Sequence, residues 1–160
     1  MGAGKSTTAE LAATRLGLTW YDVDTLVEQS SGLAVAEIFR RQGEAWFRDA
    51  ESRTFRTLIE TVAQPFVVAA GGGAPLRAAT ADLLSAWCAV VWLDGDPVVL
   101  YQRAAGPERP LMPADVSAFV QLWETRRPVY ERLAHVRIDV TTCDAKSAAA
   151  LAADWWKDWS

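Results

Sequence analysis

Cysteine, histidine and surplus positive charge are all scarce in this chain, and each scarcity removes a class of function. The 2 cysteines, Cys88 and Cys143, are too few for a disulfide framework. Cys88 lies in an apolar run and is expected to be a buried free thiol. The single histidine, His135, falls between a predicted helix and a predicted strand, where a surface position fits better than a catalytic one. Lys and Arg number 16 against 20 Asp and Glu, for a net charge of −4. Neutralising a phosphate backbone needs an excess of cations, so nucleic acid is not the expected partner, although a local basic pocket remains compatible. No apolar run is long enough to span a bilayer, and no secretory-type succession opens the chain. Internal repeats and low-complexity segments are absent, apart from an alanine bias that suits helices. A chain of 160 residues, 51% hydrophobic and 22% charged, is expected to be one globular domain over 1–160, cytosolic, with a real core.

Glycine, by contrast, is placed with purpose. The chain opens Met1-Gly2-Ala3-Gly4-Lys5-Ser6-Thr7, which matches the end of the phosphate-loop pattern G-x-x-x-x-G-K-[ST]. Glycines let backbone N–H groups approach a polyphosphate, and the helix that follows turns its positive end toward the anion. Lys5 is then expected to reach the terminal phosphates, and the Ser6 hydroxyl to hold a magnesium ion. A glycine-rich turn opening an ordinary helix is the plainer alternative. The first glycine of the pattern, and the apolar strand that leads into it, would lie before Met1. A longer natural protein is therefore expected behind this chain, through a late start or a truncation.

Downstream, helical and strand patterns alternate. A helix is predicted over 5–16, with Leu11, Ala12 and Leu16 as its apolar face and Gly17 ending it. Leu18 to Tyr21 is a short strand closing on Asp22-Val23-Asp24. Two carboxylates at a strand's end sit where open α/β sheets bind ligands, although Asp24 also suits the cap of a helix beginning near Thr25. Helical stretches follow over 25–30, 35–41 and 44–61, separated by Gly32 and Gly43. From pattern alone, Phe39 and Phe47 read as core and Arg48 as solvated. Pro65 to Ala70 is a continuous apolar run, as in parallel strands buried on both faces, and it ends in Gly71-Gly72-Gly73. Three glycines there imply a close approach of the backbone to something. A helix over 76–87, a strand over 88–93, a turn at Asp94-Gly95-Asp96-Pro97 and a helix to Arg103 come next. The glycine- and proline-broken stretch around Arg109-Pro110-Leu111 reads as a substrate-covering loop. Asp115 or Ser117 caps a helix carrying Arg126-Arg127-Pro128-Val129-Tyr130; a strand over 136–140 and a helix over 145–158 finish the chain. The implied fold is α/β, a parallel sheet covered by helices on both faces, with every loop named above on one edge.

In this order and at these separations the motifs resemble the shikimate kinases, of the P-loop, nucleoside-monophosphate-kinase-like group. The elements are the phosphate loop, Asp22-x-Asp24, Ile38-Phe39 with Gly43-Glu44-x-x-Phe47-Arg48-x-x-Glu51, Gly71-Gly72-Gly73, Arg109-Pro110-Leu111 and Arg126-x-Pro128-x-Tyr130. The resemblance implies ATP- and magnesium-dependent phosphorylation of shikimate at its 3-hydroxyl, in aromatic amino-acid biosynthesis, by a cytoplasmic monomer. It implies that Gly2, Ala3, Gly4, Lys5, Ser6 and Thr7 bind ATP, with Arg103 near the adenine and Arg109, on a lid over about 104–114, at the transferring phosphoryl group. Asp24 would bind shikimate hydroxyls and act as base beside Lys5 and Arg109. Asp22 would sit by the magnesium ion through water. Arg48 and Arg126 would clamp the carboxylate, Phe39 and Phe47 would wall the pocket in a substrate-binding region over 24–61, and Gly71, Gly72 and Gly73 would offer backbone contacts. The family sheet has five strands. Its first, central strand is missing here, which is expected to leave two buried strands without a neighbour. Departures are Met112 where a second leucine is usual and the Trp155-Trp156-x-x-Trp159 cluster, read as helix packing. A gluconate-kinase-like enzyme and a non-catalytic nucleotide-binding remnant are the alternatives.

Overall fold

The computed structural model describes residues 2–104 and 112–159. Along the chain, α1 spans Lys5–Leu16, β1 Trp20–Asp22, α2 Val23–Ser31, α3 Val35–Thr61, β2 Val67–Ala69, α4 Ala78–Trp87, β3 Val91–Asp94, α5 Pro97–Ala104, α6 Val116–Leu133, β4 Val136–Asp139 and α7 Ala145–Trp159. Helix and strand alternate as expected, and the paired strands are parallel. Among the described residues no helix is long and apolar enough to cross a membrane. Residues 105–111, which include the expected lid arginine Arg109, lie outside the described residues.

Local signals explain most boundaries. Gly17 takes the left-handed conformation and its N–H returns to the last carbonyls of α1. The α2 cap is Asp22 and not Asp24: the Asp22 carboxylate accepts from the N–H groups of Asp24 and Thr25, so Asp24 falls inside the first turn with its side chain released for other contacts. Gly43, at φ 82° and ψ 169°, breaks α3 into the two helices expected on either side of it. The start of α4 moves to Ala78 because Ala74–Leu76, with proline in its first turn, forms a 3₁₀ turn instead. Asp115, rather than Ser117, caps α6 by accepting from the Ala118 N–H at 2.8 Å.

The apolar face expected on α1 is corrected. Leu11 is 37% exposed, whereas Thr8, Ala9, Ala12 and Ala13 are buried. These small side chains meet Ala148, Ala149, Ala152 and Ala153 of α7, so the two helices pack closely and Leu11 is turned outward. One core gathers Val23, Val27, Ile38, Phe47, Phe55 and Leu84 around α2 and α3. The other gathers Leu100, Phe119, Ile138 and Val140 with the α7 alanines. His135 is exposed as expected; its ring lies against Trp159, which stacks with Trp155 at 5.7 Å, so the Trp cluster expected to pack helices makes its ring contacts within α7 and with His135. Cys88 is a free thiol but only half-buried.

Where one sheet was expected, the strands form two parallel pairs, β1–β2 and β3–β4. The Val67 N–H donates to the Thr19 carbonyl, so alternation along β2 turns the N–H and C=O of Val68 away from β1. The Val90 carbonyl accepts from Val136 and the Asp94 carbonyl from Val140, just past β4, so Val91 and Leu93 of β3 likewise direct theirs the other way. The two strands expected to lack a neighbour are β2 and β3. An apolar cavity of about 340 Å³ lies between them, lined by Val68, Val91, Leu93, Leu84 and Trp123, and reaches Lys5 and Gly72 at one end.

Candidate active site

The carboxyl ends of β1 and β2, the amino end of α1 and one turn of α6 converge on the three glycines. Gly4 precedes α1 in the left-handed conformation, φ 72°, and caps the helix without a side chain. With no capping side chain at this position, the amino end of α1 is suited to an anion. Gly2 is obligatory on two counts: φ is 73°, and a Cβ there would meet the Leu100 carbonyl oxygen at 2.1 Å. Ala3 packs on the second core, while Ser6 and Thr7 lie exposed at the helix start. A second cavity of about 350 Å³ opens beside this loop, lined by Gly2, Gly4, Arg103, Thr142, Cys143 and Ala145. Arg103 is pinned at its wall by donating to the Val140 and Thr141 carbonyls.

Asp22 and Ser6 meet. The Ser6 hydroxyl donates to Asp22 Oδ2 at 2.5 Å, while Asp22 Oδ1 is engaged in the α2 cap. Asp24, two residues on, has one carboxylate oxygen buried without a hydrogen-bond partner. Burial, and secondarily the charge of Asp22, pushes its carboxyl above the usual range, while Lys5 and Arg48 pull it back.

Each glycine of the triplet makes room for a different group. A Cβ on Gly71 would lie 2.4 Å from Glu51 Oε1 and 3.3 Å from Asp24 Oδ1. A Cβ on Gly73 would lie 2.3 Å from Arg48 Nη2. The Gly72 carbonyl accepts from the Tyr130 hydroxyl of α6. The close approach implied by three glycines is thus to carboxylates, a guanidinium and a phenol. The structure predicts that Gly73→Ala folds normally, because the end of a long side chain can move, but loses the Arg48 position. The expected result is binding of a carboxylate ligand weakened about tenfold or more with polyphosphate binding unchanged; unaltered carboxylate affinity in the folded variant contradicts it.

Arg48 is not solvated: its side chain is 11% exposed. It pairs with Glu51, which is fully buried, and with Glu44 at 3.1 Å, and its guanidinium lies 5.3 Å from the Phe47 ring centroid. Burial alone would lower the Arg48 pKa, but Glu51 and Glu44 together raise it, so the cation is secure. Burial pushes Glu51 up, and Arg48 pulls it back only in part. Phe47 belongs to the core beneath Arg48, and Phe39, half-buried, packs against it at 4.8 Å. Arg126 is half-buried on α6, and its Nε is buried with no partner. Asp24, Glu51 and Arg126 thus each bring one unsatisfied polar atom to the rim of the glycine turn.

A family model described as shikimate kinase matches residues 1–155. The chain belongs to the shikimate kinase family. A shikimate kinase of Symbiobacterium thermophilum is 41% identical over 143 residues, covering 86% of this chain and 81% of that protein. One of Moorella thermoacetica is 39% identical over 157 residues, covering 95% and 86%. Among solved structures, a shikimate kinase from Acinetobacter baumannii in complex with shikimate superposes with a TM-score of 0.92 at 28% identity, covering 100% of this chain and 90% of that one. The enzyme from Aquifex aeolicus superposes with a TM-score of 0.83 at 26% identity, covering 99% and 94%. The fold is accordingly the P-loop kinase fold of the shikimate kinases.

Two members of the shikimate kinase motifs had no role from sequence. Glu51 stands three residues after Arg48 and Tyr130 four after Arg126, the helical spacings at which side chains meet. That spacing is the signal that marks them as partners of the two arginines. The donors at Ser6 and Asp22 are hard oxygens, one hydroxyl and one carboxylate, in mutual contact at the mouth of the phosphate loop. That set fits magnesium, which typically takes one or two protein oxygens and completes its shell with phosphate and water.

Proposed function

We propose that this chain transfers the γ-phosphoryl group of ATP to the 3-hydroxyl of shikimate, and that residues 1–160 form a single kinase domain. The observation that carries the reading is the convergence of one half-buried carboxylate, Asp24, and two arginines, Arg48 and Arg126, on a glycine turn beside a phosphate loop. Shikimate has one carboxylate and three hydroxyls. Arginine forks suit the carboxylate and an ionised Asp suits a hydroxyl.

In this reading the α1 N-terminus and Lys5 bind the polyphosphate, and the nucleotide base lies in the cavity beside Arg103. Ser6 would hold magnesium directly and Asp22 through water; the ion would supply positive charge that offsets the phosphates. Arg48 and Arg126 fix the acceptor by its carboxylate, the Gly71–Gly73 turn presents backbone to it, and Phe39 with Phe47 backs Arg48. Asp24 takes the proton of the 3-hydroxyl as its oxygen bonds to phosphorus and the bond to ADP breaks. Arg109, on a lid over about 104–114, is assigned to the transferring group by the resemblance alone. The reading extends to a monomeric cytoplasmic enzyme without nucleic-acid or membrane partners.

The test is ADP release from ATP and magnesium with shikimate, with gluconate, and with neither. Shikimate-dependent release supports the reading, and release with gluconate alone overturns it. The nucleotide position has its own check. Cys143 lines the proposed base cavity, so MgATP is expected to slow its alkylation by a maleimide severalfold, with Cys88→Ser removing the background. Burial pushes the Cys88 thiol up and so makes that background slow. Unchanged labelling in saturating MgATP places the base elsewhere.

A further inference from the structure

The glycine turn has three carbonyls, and they are held from two directions. Those of Gly71 and Gly73 accept from Ala74 and Leu76, one turn on, at 3.0 and 3.1 Å. That of Gly72 accepts from the hydroxyl of Tyr130, 58 residues away on α6. The Arg126 side chain, four residues earlier on the same helix, lies beside the same phenol, close enough for its charge to favour the phenolate. One phenol therefore donates to the turn and stands beside an arginine proposed to bind the acceptor. The Tyr130 ring is seated independently, tilted against Trp92 with centroids 5.9 Å apart.

A glycine has no side chain to orient its peptide. In a planar trans peptide the carbonyl and the following N–H point in opposite directions. Anchoring the Gly72 carbonyl on α6 therefore sets the direction of the Gly73 N–H. On the opposite side, Gly73 lies against the Arg48 guanidinium. The turn thus stands against Arg48 on one side and is held on the other by Tyr130, the neighbour of Arg126.

We propose that Tyr130 is a positioning residue for the acceptor: its hydroxyl fixes the Gly72–Gly73 peptide beside Arg126, so that the backbone donors and the carboxylate clamp meet shikimate together. This rests on the kinase reading above and adds to it a residue that the proposed chemistry does not touch. A purely structural tyrosine would need only its ring, which Trp92 already packs.

Tyr130→Phe separates the two, because it keeps the ring and removes the hydroxyl. The expected result is a shikimate KM raised about five- to tenfold, the equivalent of one hydrogen bond, with the ATP KM unchanged and kcat altered little. Amide exchange at Gly73 and Ala74, measured without substrate, is expected to accelerate while exchange in β3 and the middle of α6 stays at the parent rate. Parent shikimate KM, or parent exchange in the turn, overturns the proposal. So does a fall in melting temperature with both KM values shifted together, since that is the mark of a packing role. If the parent chain shows no shikimate-dependent turnover, the kinase reading fails, and the exchange comparison still decides whether the hydroxyl holds the turn.

Discussion

Asp24→Asn is expected to lower kcat about a thousandfold while MgATP binding stays close to that of the parent. Asn keeps the shape of the side chain and its place in the first turn of α2, so the fold has little to lose. It cannot accept the hydroxyl proton. Nucleotide binding depends chiefly on the α1 end, which Gly4 opens, and on Lys5. The pH profile provides the second arm. Burial, then Asp22, holds the Asp24 carboxyl above the usual carboxylate range, against the pull of Lys5 and Arg48. The base form is the deprotonated one, so kcat/KM for shikimate rises with pH through that elevated pKa and levels off above it. Activity is therefore lost on acidification sooner than an ordinary Asp would dictate. The residual activity of Asp24→Asn is expected to lack this acid limb. Near-parent turnover, or an acid limb that persists in the variant, removes Asp24 from the role of base.

The legible parts of this molecule were those set by local chemistry. Gly17, Gly32 and Gly43 mark breaks because only glycine takes their left-handed conformations cheaply, and that requirement is written in the residue itself. The phosphate loop and Asp22-x-Asp24 were legible for the same reason. What misled was burial, which depends on partners distant in the chain. Leu11 looked like core because it is large, yet α1 meets α7 along alanines. Arg48 looked solvated because it is charged, yet Glu51 lies one helical turn on to neutralise it. Asp24 looked like the cap, but the strand ends so that Asp22 reaches the free N–H groups first. The roles of Glu51 and Tyr130 needed the tertiary approach of α3 and α6 to the glycine turn.

Breaking and then replacing the Arg48–Glu51 pair is expected to separate stability from function. Glu51 is fully buried and its partner nearly so. Glu51→Ala leaves the Arg48 cation buried with Glu44 alone, which is 56% exposed on its side chain and a weaker partner. The expected loss is about 3 kcal/mol of unfolding free energy, read from denaturant midpoints at unchanged slope. Shikimate KM rises in the same variant, because Arg48 no longer has the contact that aims it past Gly73. Adding Arg48→Met and exchanging Glu51 for Leu replaces two buried ions by apolar groups of similar bulk, and removes the desolvation that each ion suffers. Stability is then expected to return to the parent value or above it. Acceptor affinity is expected not to return, remaining about a hundredfold weak, because a thioether offers the carboxylate nothing. A doubly substituted protein that regains both stability and shikimate affinity shows that Arg48 is not part of the clamp. One that regains neither shows that the pair is needed by the core itself. The expected split, with stability restored and affinity lost, means that this buried ion pair is kept on α3 for the acceptor and at some cost to the fold.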